Sequence, residues 1–212
     1  MFETLALNIP IAQQHRNKAC IQARAILQAI LSDTPDHPAR VFSVACGSCL
    51  DVASLLEFLG PHPFHLVLND SDPDALEAAR RHLATLELRL TWVPGNILSQ
   101  LRNVLREGPY DLIVIGGLMD YLPDRTATFL LKNLLERGLN PQGKLLFTNI
   151  ARPNPYRVWL EYFADWPLLE RDEADIRVLL SSCDLEPDAL TLSREGTGLT
   201  VICEFTPARA IS

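Results

Sequence analysis

Several short segments of the sequence place small or polar residues directly after apolar runs that are typical of β-strands. In the first, residues 45–51, the small residues Ala45, Cys46 and Gly47 would let a ligand approach the backbone closely. The helix predicted after them would add N–H groups that favour polar ligand atoms. The dinucleotide pattern GxGxxG fails because Ala45, Gly47 and Leu50 occupy its glycine positions. The segment therefore predicts a ligand-binding loop, and an ordinary tight turn is the alternative.

A group of aspartates follows the second predicted strand. Asp70 lies roughly 20 residues beyond the first loop, where an acid commonly accepts hydrogen bonds from ribose hydroxyls. Its two carboxylate oxygens match the two hydroxyls of a ribose, and we expect Ser71 beside it to contact the same ligand. The alternative is that these acids only cap the helix starting near Asp74, a role that suits Asp72.

The segment after the third predicted strand contains Gly95, Asn96 and Ile97. The side-chain amide of Asn96 could reach an adenine edge, and Ile97 could pack on the ring. A Gly-Asn pair is equally a turn signal, so both interpretations stay open. We include Asn96 and Ile97 among the predicted ligand-binding residues.

The segment after the fourth predicted strand combines glycines with two groups able to do chemistry. Gly116 and Leu118 would bring the backbone close to the ligand, and we predict that both contact it. Asp120 and Tyr121 would then present a carboxylate and a phenol to the reaction cleft, which makes them the candidate catalytic residues. The alternative is a turn followed by two surface polar residues.

These segments must be positioned by elements that alternate along the chain. Strands are predicted at 41–45, 64–68, 88–93, 112–115 and 144–148. Helical periodicity covers 51–59, 74–86, 97–107 and 125–137 between them. Such alternation predicts right-handed βαβ units with helices on both faces of a parallel sheet.

The two ends of the chain complete this architecture. A helical arm is predicted at 10–32, and the proline-containing segment 33–38 ends it. After the parallel strands, helices are predicted from Asn154 (as N-cap, before Pro155) and over 173–183. Strands at 189–193 and 199–205 then predict an antiparallel hairpin. The result is an α/β, Rossmann-like, doubly wound, mostly parallel seven-stranded sheet with a C-terminal antiparallel hairpin and an N-terminal helical arm.

We divide the chain into an arm, residues 1–38, and a catalytic domain, residues 39–207. The arm, together with the helix that carries Tyr156 and Trp159, could form a lid that excludes water from the cleft. Ordinary helix packing is the alternative.

Composition excludes several classes of function. The formal net charge is −7 and the isoelectric point is near 5.2, so nucleic acid and anionic membranes are not expected partners. Glu3 stands where a signal peptide has positive charge, and no apolar run is long enough to span a bilayer. These features predict a cytoplasmic protein whose partner is a small molecule, with an oligomeric state that the sequence leaves open.

Cysteine usage indicates thiols without metal. Cys46 and Cys49 have the CxxC spacing of zinc and redox sites. No second CxxC or nearby histidine pair completes a tetrahedral site. We therefore expect no metal, and reduced, mostly buried cysteines.

Taken together, the four polar segments resemble the class I S-adenosylmethionine-dependent methyltransferases over residues 41–205. In this resemblance residues 41–49 match the glycine loop, Asp70 matches the ribose acid and Asn96 matches the adenine-contacting position. The resemblance implies S-adenosyl-L-methionine as the cofactor. Departures are Ser43 for the usual acid of the first strand, Ala45 and Cys49 for glycines, and Asn96 for an acid. They could weaken cofactor binding.

A narrower likeness lies in the second half of the chain. It resembles the methyltransferases of extracellular-factor biosynthesis, which make the methyl ester of a hydroxylated palmitic acid, in 117–122, 139–145, Asn149, 165–166 and Arg171. The likeness implies a carboxylate acceptor, which is ionised at neutral pH and needs no general base. We predict that Arg152 pairs with it, with Tyr156 and His15 also binding substrate and Arg157 as a weaker alternative.

Two other classes of function remain open. A non-catalytic protein that binds S-adenosylmethionine or S-adenosylhomocysteine is compatible with the altered first loop. An NAD-dependent dehydrogenase is disfavoured by the missing glycines and the terminal hairpin.

Overall fold

The computed structural model describes residues 9–32, 37–60, 62–183 and 189–206. Its centre is one seven-stranded sheet with the strand order β3-β2-β1-β4-β5-β7-β6. The strands are β1 (Ala39–Val44), β2 (Phe64–Asp70), β3 (Leu90–Pro94), β4 (Tyr110–Ile115), β5 (Leu139–Ile150), β6 (Leu190–Arg194) and β7 (Thr200–Phe205). Strands β1 to β5 are parallel, and β7 runs antiparallel to both β5 and β6. The predicted fold class, including the terminal hairpin, is confirmed.

Helices cover both faces of the sheet, as a doubly wound fold requires. They are α1 (Pro10–Ser32), α2 (Leu50–Ala53), α3 (Pro73–His82), α4 (Ile97–Glu107), α5 (Asp124–Arg137), α6 (Arg157–Phe163) and α7 (Glu173–Leu180). Short 3-10 helices follow α3 at Ala84–Arg89 and β4 at Leu118–Tyr121.

The apolar runs of the central strands explain why two faces are covered. Successive residues of a strand point to opposite faces, and along β4 the buried Leu112 and Val114 lie in one core cluster while Ile113 and Ile115 lie in the other. Helices α4, α5 and α7 pack on the Ile113 face, and α1, α2 and α3 on the opposite one. Both faces of the central strands are therefore buried.

The helical arm shares the core of the sheet. Helix α1 has the predicted bounds, Pro10–Ser32, and its buried Ile26 and Ile30 lie in the same apolar cluster as Val41 of β1 and Val114 of β4. This packing holds the carboxyl-terminal half of the helix against the sheet, so its amino-terminal half is positioned near the strand ends.

Three predicted helices differ from the observed ones. The helix predicted at 51–59 is a single helical turn, α2, and the helix predicted at 74–86 breaks after His82 into the short 3-10 helix. The prediction that Asn154 caps a helix is wrong. Its side-chain oxygen accepts a hydrogen bond from the Tyr156 N–H (2.9 Å) in a local turn, and α6 starts only at Arg157.

In the described part of the chain, no helix combines the length and the apolar composition that crossing a membrane would need.

Candidate functional site

A cavity of about 590 Å³ opens beside the carboxyl ends of β1 and β4. These two strands are where the strand order reverses, the usual ligand position in open α/β sheets. Five parts of the chain line the cavity: the end of β1 with the loop after it, Ser71 after β2, the segment after β4, one face of α1, and Trp166. Its size lies within the range of small-molecule sites.

The loop after β1 has an unusual backbone. Ala45, Gly47 and Cys49 all have left-handed conformations, with φ of 50°, 56° and 53°, which only glycine adopts without steric cost. All three line the cavity, and a Cβ at Gly47 would meet nothing within 4 Å. The loop therefore leaves room for a ligand beside Gly47. Helix α2 is only one turn long, and the Cys46, Gly47 and Cys49 N–H groups of the loop donate to other protein atoms, so it is the open space beside Gly47 that the loop offers to a ligand.

Asp70 organises this loop from the end of β2. Its Oδ2 accepts a hydrogen bond from the Gly47 N–H (2.7 Å) and its Oδ1 from the Asp72 N–H (2.9 Å). Each carboxylate oxygen can accept a further hydrogen bond. Ser71 lines the cavity, and Asp72 caps α3 by accepting from the Asp74 and Ala75 N–H groups. The helix-capping role expected for Asp72 is therefore observed.

The structure does not bring Asn96 and Ile97 to the cavity. The Asn96 side chain caps α4 by accepting from the Leu98 N–H (2.9 Å), and Ile97 is buried in the core. Neither residue is among those that line the cavity. Helix capping accounts for the position of Asn96, and core packing accounts for that of Ile97. Their placement therefore does not support an adenine contact.

After β4, the backbone comes close to α1. The Gly116 carbonyl accepts hydrogen bonds from Thr148 Oγ1 (2.6 Å) and from Gln22 Nε2 (3.4 Å). A Cβ at Gly116 would lie 2.7 Å from Gln22 Oε1, so a larger residue here would displace the end of the Gln22 side chain. Gly116 and Leu118, the two residues expected to contact the ligand, both line the cavity.

Asp120 is buried at the cavity wall with its carboxylate engaged. Oδ1 accepts from the Ile150 N–H (2.6 Å), and Oδ2 lies 3.9 Å from Lys18 Nζ. Burial raises the pKa of Asp120 to about 6, against the opposing effect of the Lys18 charge. Arg171, itself buried, donates to the carbonyls of Met119 and Leu122 and so fixes the segment that carries Asp120.

Lys18 is the main site residue that sequence reasoning missed. Its residue is only 7% exposed, and burial lowers its pKa while the charges of Asp120 and Glu195 oppose that effect. No atom of the described residues accepts a hydrogen bond from Nζ at hydrogen-bond distance, since Asp120 Oδ2 is 3.9 Å away. The available signal was its position on the buried stripe of α1, between Gln14 and Gln22.

Three rings form another part of the wall. His15 stacks on Trp166, with ring centroids 5.5 Å apart, and Trp166 Nε1 donates to the Tyr121 hydroxyl (2.5 Å). Desolvation, aided by the Lys18 charge, lowers the pKa of His15 to about 4, so the imidazole is neutral at pH 7. His15 and Tyr121 were predicted here. Trp166 was not, because its approach depends on contacts distant in sequence.

Arg152 and Tyr156 lie away from the cavity, contrary to expectation. The Arg152 guanidinium is on the surface and pairs with Asp172 (3.0 Å) and Asp175 (2.5 Å). Its Nη2 therefore already has two carboxylate partners. Tyr156 packs in a small apolar cluster with Leu160, and Arg157 pairs with Glu161 (2.8 Å).

Cys46 and Cys49 both line the cavity. Within the four described ranges, no group of three or more His, Cys, Asp or Glu side chains could hold a metal ion.

Comparisons with known proteins agree with this geometry. Residues 42–145 match a family described as a methyltransferase domain. No curated protein sequence gives a match.

Solved structures with low sequence identity share the fold. A protein from Bordetella parapertussis described as a possible exported protein has a TM-score of 0.69 at 19% identity, covering 94% of this chain and 70% of that one. Magnesium protoporphyrin IX methyltransferase from Synechocystis PCC 6803, with bound S-adenosylhomocysteine, has a TM-score of 0.60 at 15% identity and covers 93% and 87%. The S-adenosylmethionine-dependent methyltransferase SibL has a TM-score of 0.59 at 19% identity, covering 89% of this chain and 57% of that one.

The sheet order and the cavity at the strand ends agree with the fold of class I methyltransferases, and residues 42–145 match a methyltransferase domain. This domain match marks an enzyme activity for which S-adenosylmethionine is the methyl donor.

Proposed function

We propose that the cavity binds S-adenosylmethionine beside a small-molecule acid, and that the methyl group goes to a carboxylate oxygen of that acid. Hydroxylated fatty acids are the first acceptors to test. The observation that carries this proposal is Lys18, whose side chain is largely buried at the cavity wall and whose Nζ has the Asp120 carboxylate as its ion-pair partner only at 3.9 Å, beyond hydrogen-bond distance. Such a group favours an anionic partner.

The cavity suits the cofactor in size and in shape. Its volume of about 590 Å³ has room for a nucleoside with an amino-acid tail. Small residues of the first loop leave space beside Gly47, and Asp70 keeps lone pairs for ribose hydroxyls. When bound, the cofactor supplies a methyl group already activated by its positive sulfur, so the protein's main task is alignment.

The side chains at the wall can align an ionised acid. A carboxylate needs no general base, so Lys18 would hold it by charge while Asp120 keeps the lysine in place. The stacked His15 and Trp166 rings, with Tyr121 beside them, would exclude water from that side. In this proposal Lys18 takes over the role first expected of Arg152.

The test is methyl transfer from labelled cofactor to a panel of hydroxylated fatty acids. We expect a product that mild alkali hydrolyses to labelled methanol. Lys18→Gln should raise the KM for the acceptor about ten- to a hundredfold, the loss expected for one charged hydrogen bond, and leave the affinity for S-adenosylhomocysteine nearly unchanged. Lys132→Gln, which removes only an exposed ion pair with Glu136, is the matched control.

Two outcomes would contradict the proposal. An alkali-stable product would exclude a carboxylate acceptor. A Lys18→Gln variant that loses cofactor affinity with an unchanged acceptor KM would assign the ammonium to the cofactor's own carboxylate. Circular dichroism of Lys18→Gln separates the second result from loss of folding.

A hydroxyl acceptor is the second candidate, and one observation favours it. The imidazole of His15 lines the cavity with Tyr121 and is neutral at pH 7, although a pKa lowered to about 4 makes it a weak base. A neutral imidazole can accept a hydroxyl proton. This candidate predicts an ether product that resists alkali and a His15→Gln variant with a strongly reduced kcat.

A further inference from the structure

The structure places both cysteines of the CxxC pair in one turn at the cavity wall. Cys46 and Cys49 are the first and last residues of the turn after β1, where the Cys49 N–H donates to the Cys46 carbonyl (3.1 Å). Both line the cavity. Cys46 is partly exposed, and Cys49 is only 1% exposed.

The geometry of this turn brings the two thiols together. The end residues of such a hydrogen-bonded turn have Cα atoms less than about 7 Å apart, and disulfides join Cα atoms about 4.4–6.8 Å apart. Closing a bond between them therefore needs only local movement.

We propose that Cys46 and Cys49 are a thiol modification site, at which a low-molecular-weight disulfide such as oxidised glutathione makes an intramolecular disulfide that blocks the cavity to the cofactor. The more exposed Cys46 attacks first as the thiolate, forms a mixed disulfide and releases one glutathione thiolate. Cys49 then attacks the Cys46 sulfur, and its proton and the released electron pair leave with the second glutathione. Two protein thiols are oxidised by two electrons, and one glutathione disulfide is reduced to two thiols.

The disulfide would act on the cofactor through the shape of the loop. Gly47 lies between the cysteines, and its N–H is held by Asp70 (2.7 Å). Drawing the two sulfurs together must shift the side chain of Cys46, which now lies 3.7 Å from the Gly47 carbonyl. The wall beside Gly47, where the structure leaves open space, is the part of the cavity that changes. This consequence rests on the proposed cofactor site, whereas the disulfide itself does not.

The first experiment measures the bond. The reduced protein is equilibrated with mixtures of oxidised and reduced glutathione, alkylated and mapped by mass spectrometry. We expect one Cys46–Cys49 disulfide that dithiothreitol reverses. Cys20→Ser, which removes the exposed cysteine of α1 outside the cavity, should form it equally. Cys49→Ser should stop at a mixed disulfide on Cys46, and Cys46→Ser should leave Cys49 unmodified.

The second experiment measures S-adenosylhomocysteine binding by calorimetry in both redox states. We expect the oxidised protein to bind about tenfold or more weakly, the loss expected for one hydrogen bond to a polar ligand group, and full recovery after reduction. No Cys46–Cys49 bond in any glutathione mixture would overturn the proposal. A disulfide that leaves the affinity unchanged would overturn the block on binding, and a reduced protein that binds nothing would instead contradict the proposed cofactor site.

Discussion

At the scale of single residues, we propose that Asp70 has two tasks in one carboxylate. It accepts the Gly47 N–H and so fixes the first loop, and its remaining lone pairs would accept hydrogen bonds from a ribose. Asp70→Ala should therefore weaken S-adenosylhomocysteine binding about ten- to a hundredfold in calorimetry, because a charged acceptor is lost. Asp70→Asn keeps one oxygen acceptor, so its affinity for S-adenosylhomocysteine should lie between those of the wild type and Asp70→Ala.

The neighbouring Asp72 supplies a matched control for this prediction. Its side chain only caps α3, so Asp72→Ala should lower the free energy of unfolding by about 1 kcal/mol and leave ligand affinity unchanged. Equal affinities for wild type and a folded Asp70→Ala variant would remove the ribose assignment.

The raised pKa of Asp120 predicts how the stability of the protein depends on pH. Burial raises its pKa from 3.8 to about 6, so the folded chain binds this proton more tightly than the unfolded chain does. The free energy of unfolding should therefore fall as the pH rises from about 4 to above 6, by on the order of 3 kcal/mol. Urea unfolding of wild type and Asp120→Asn across this range isolates the effect as the difference between the two curves.

Lys18 provides the cross-check on that prediction. Its charge opposes the raised pKa of Asp120, so Lys18→Met should move the same loss of stability to higher pH. A difference between wild type and Asp120→Asn that does not vary with pH would show that the carboxyl has an ordinary pKa in the folded protein.

At the scale of elements, the sequence was most informative where one local rule decided the outcome. The central strands are continuous apolar runs, and the bounds of α1 follow from Pro10 at its first position and the break after Ser32. Asn154 shows the opposite case, because a side-chain hydrogen bond to Tyr156 competes with helix initiation. Arg152 could not be placed from sequence, since its partners lie twenty residues or more further along the chain.

Lys18 and Trp166 show the same limit at the cavity. Each reaches it through contacts between elements that are far apart in sequence, such as Lys18 with Asp120 and His15 with Trp166. The segments that follow the strands were found because parallel strands carry them all to one edge of the sheet. Side chains that come from α1 follow no such rule.

Helix α1 is fastened to the terminal hairpin by buried polar groups. Thr200 Oγ1 donates to Gln14 Oε1 (2.5 Å), and Asn17 Nδ2 donates to Glu195 (2.6 Å). Thr200→Val should leave Gln14 buried without its partner and lower the free energy of unfolding by about 1–3 kcal/mol. Amide hydrogen exchange in the first turns of α1 should become faster.

A double-mutant cycle tests whether this is a specific pair. Adding Gln14→Leu to Thr200→Val removes both polar groups, so the double variant should recover much of the lost stability. Additive losses in the two single variants would mean that the two residues do not stabilise α1 as a pair.

At the scale of the whole molecule, the first element of the described chain, helix α1, lines the cavity and the last elements support that helix. Helix α1 supplies Lys18 and Gln22, and the hairpin strand β7 holds that helix through Thr200. The parallel strands provide the floor between them. Occupation of the cavity should therefore stabilise α1, the sheet edge and the hairpin together, because each contributes to the same walls or to their support.

Because of this arrangement, ligand binding should raise the free energy of unfolding of the whole domain. A ligand that binds only the folded chain adds about 2.7 kcal/mol at a concentration of 100 times its Kd. For a domain of about 200 residues, this corresponds to a rise in Tm of about 5–10 °C. S-adenosylhomocysteine should give that shift in a thermal unfolding experiment, while NADH, the ligand of the dehydrogenase alternative, should give none. Asp70→Ala should reduce the shift at the same ligand concentration, because its Kd is higher. A shift with NADH alone would contradict the methyl-donor site, and an Asp70→Ala variant with an undiminished shift would place the ligand away from the loop that Asp70 holds.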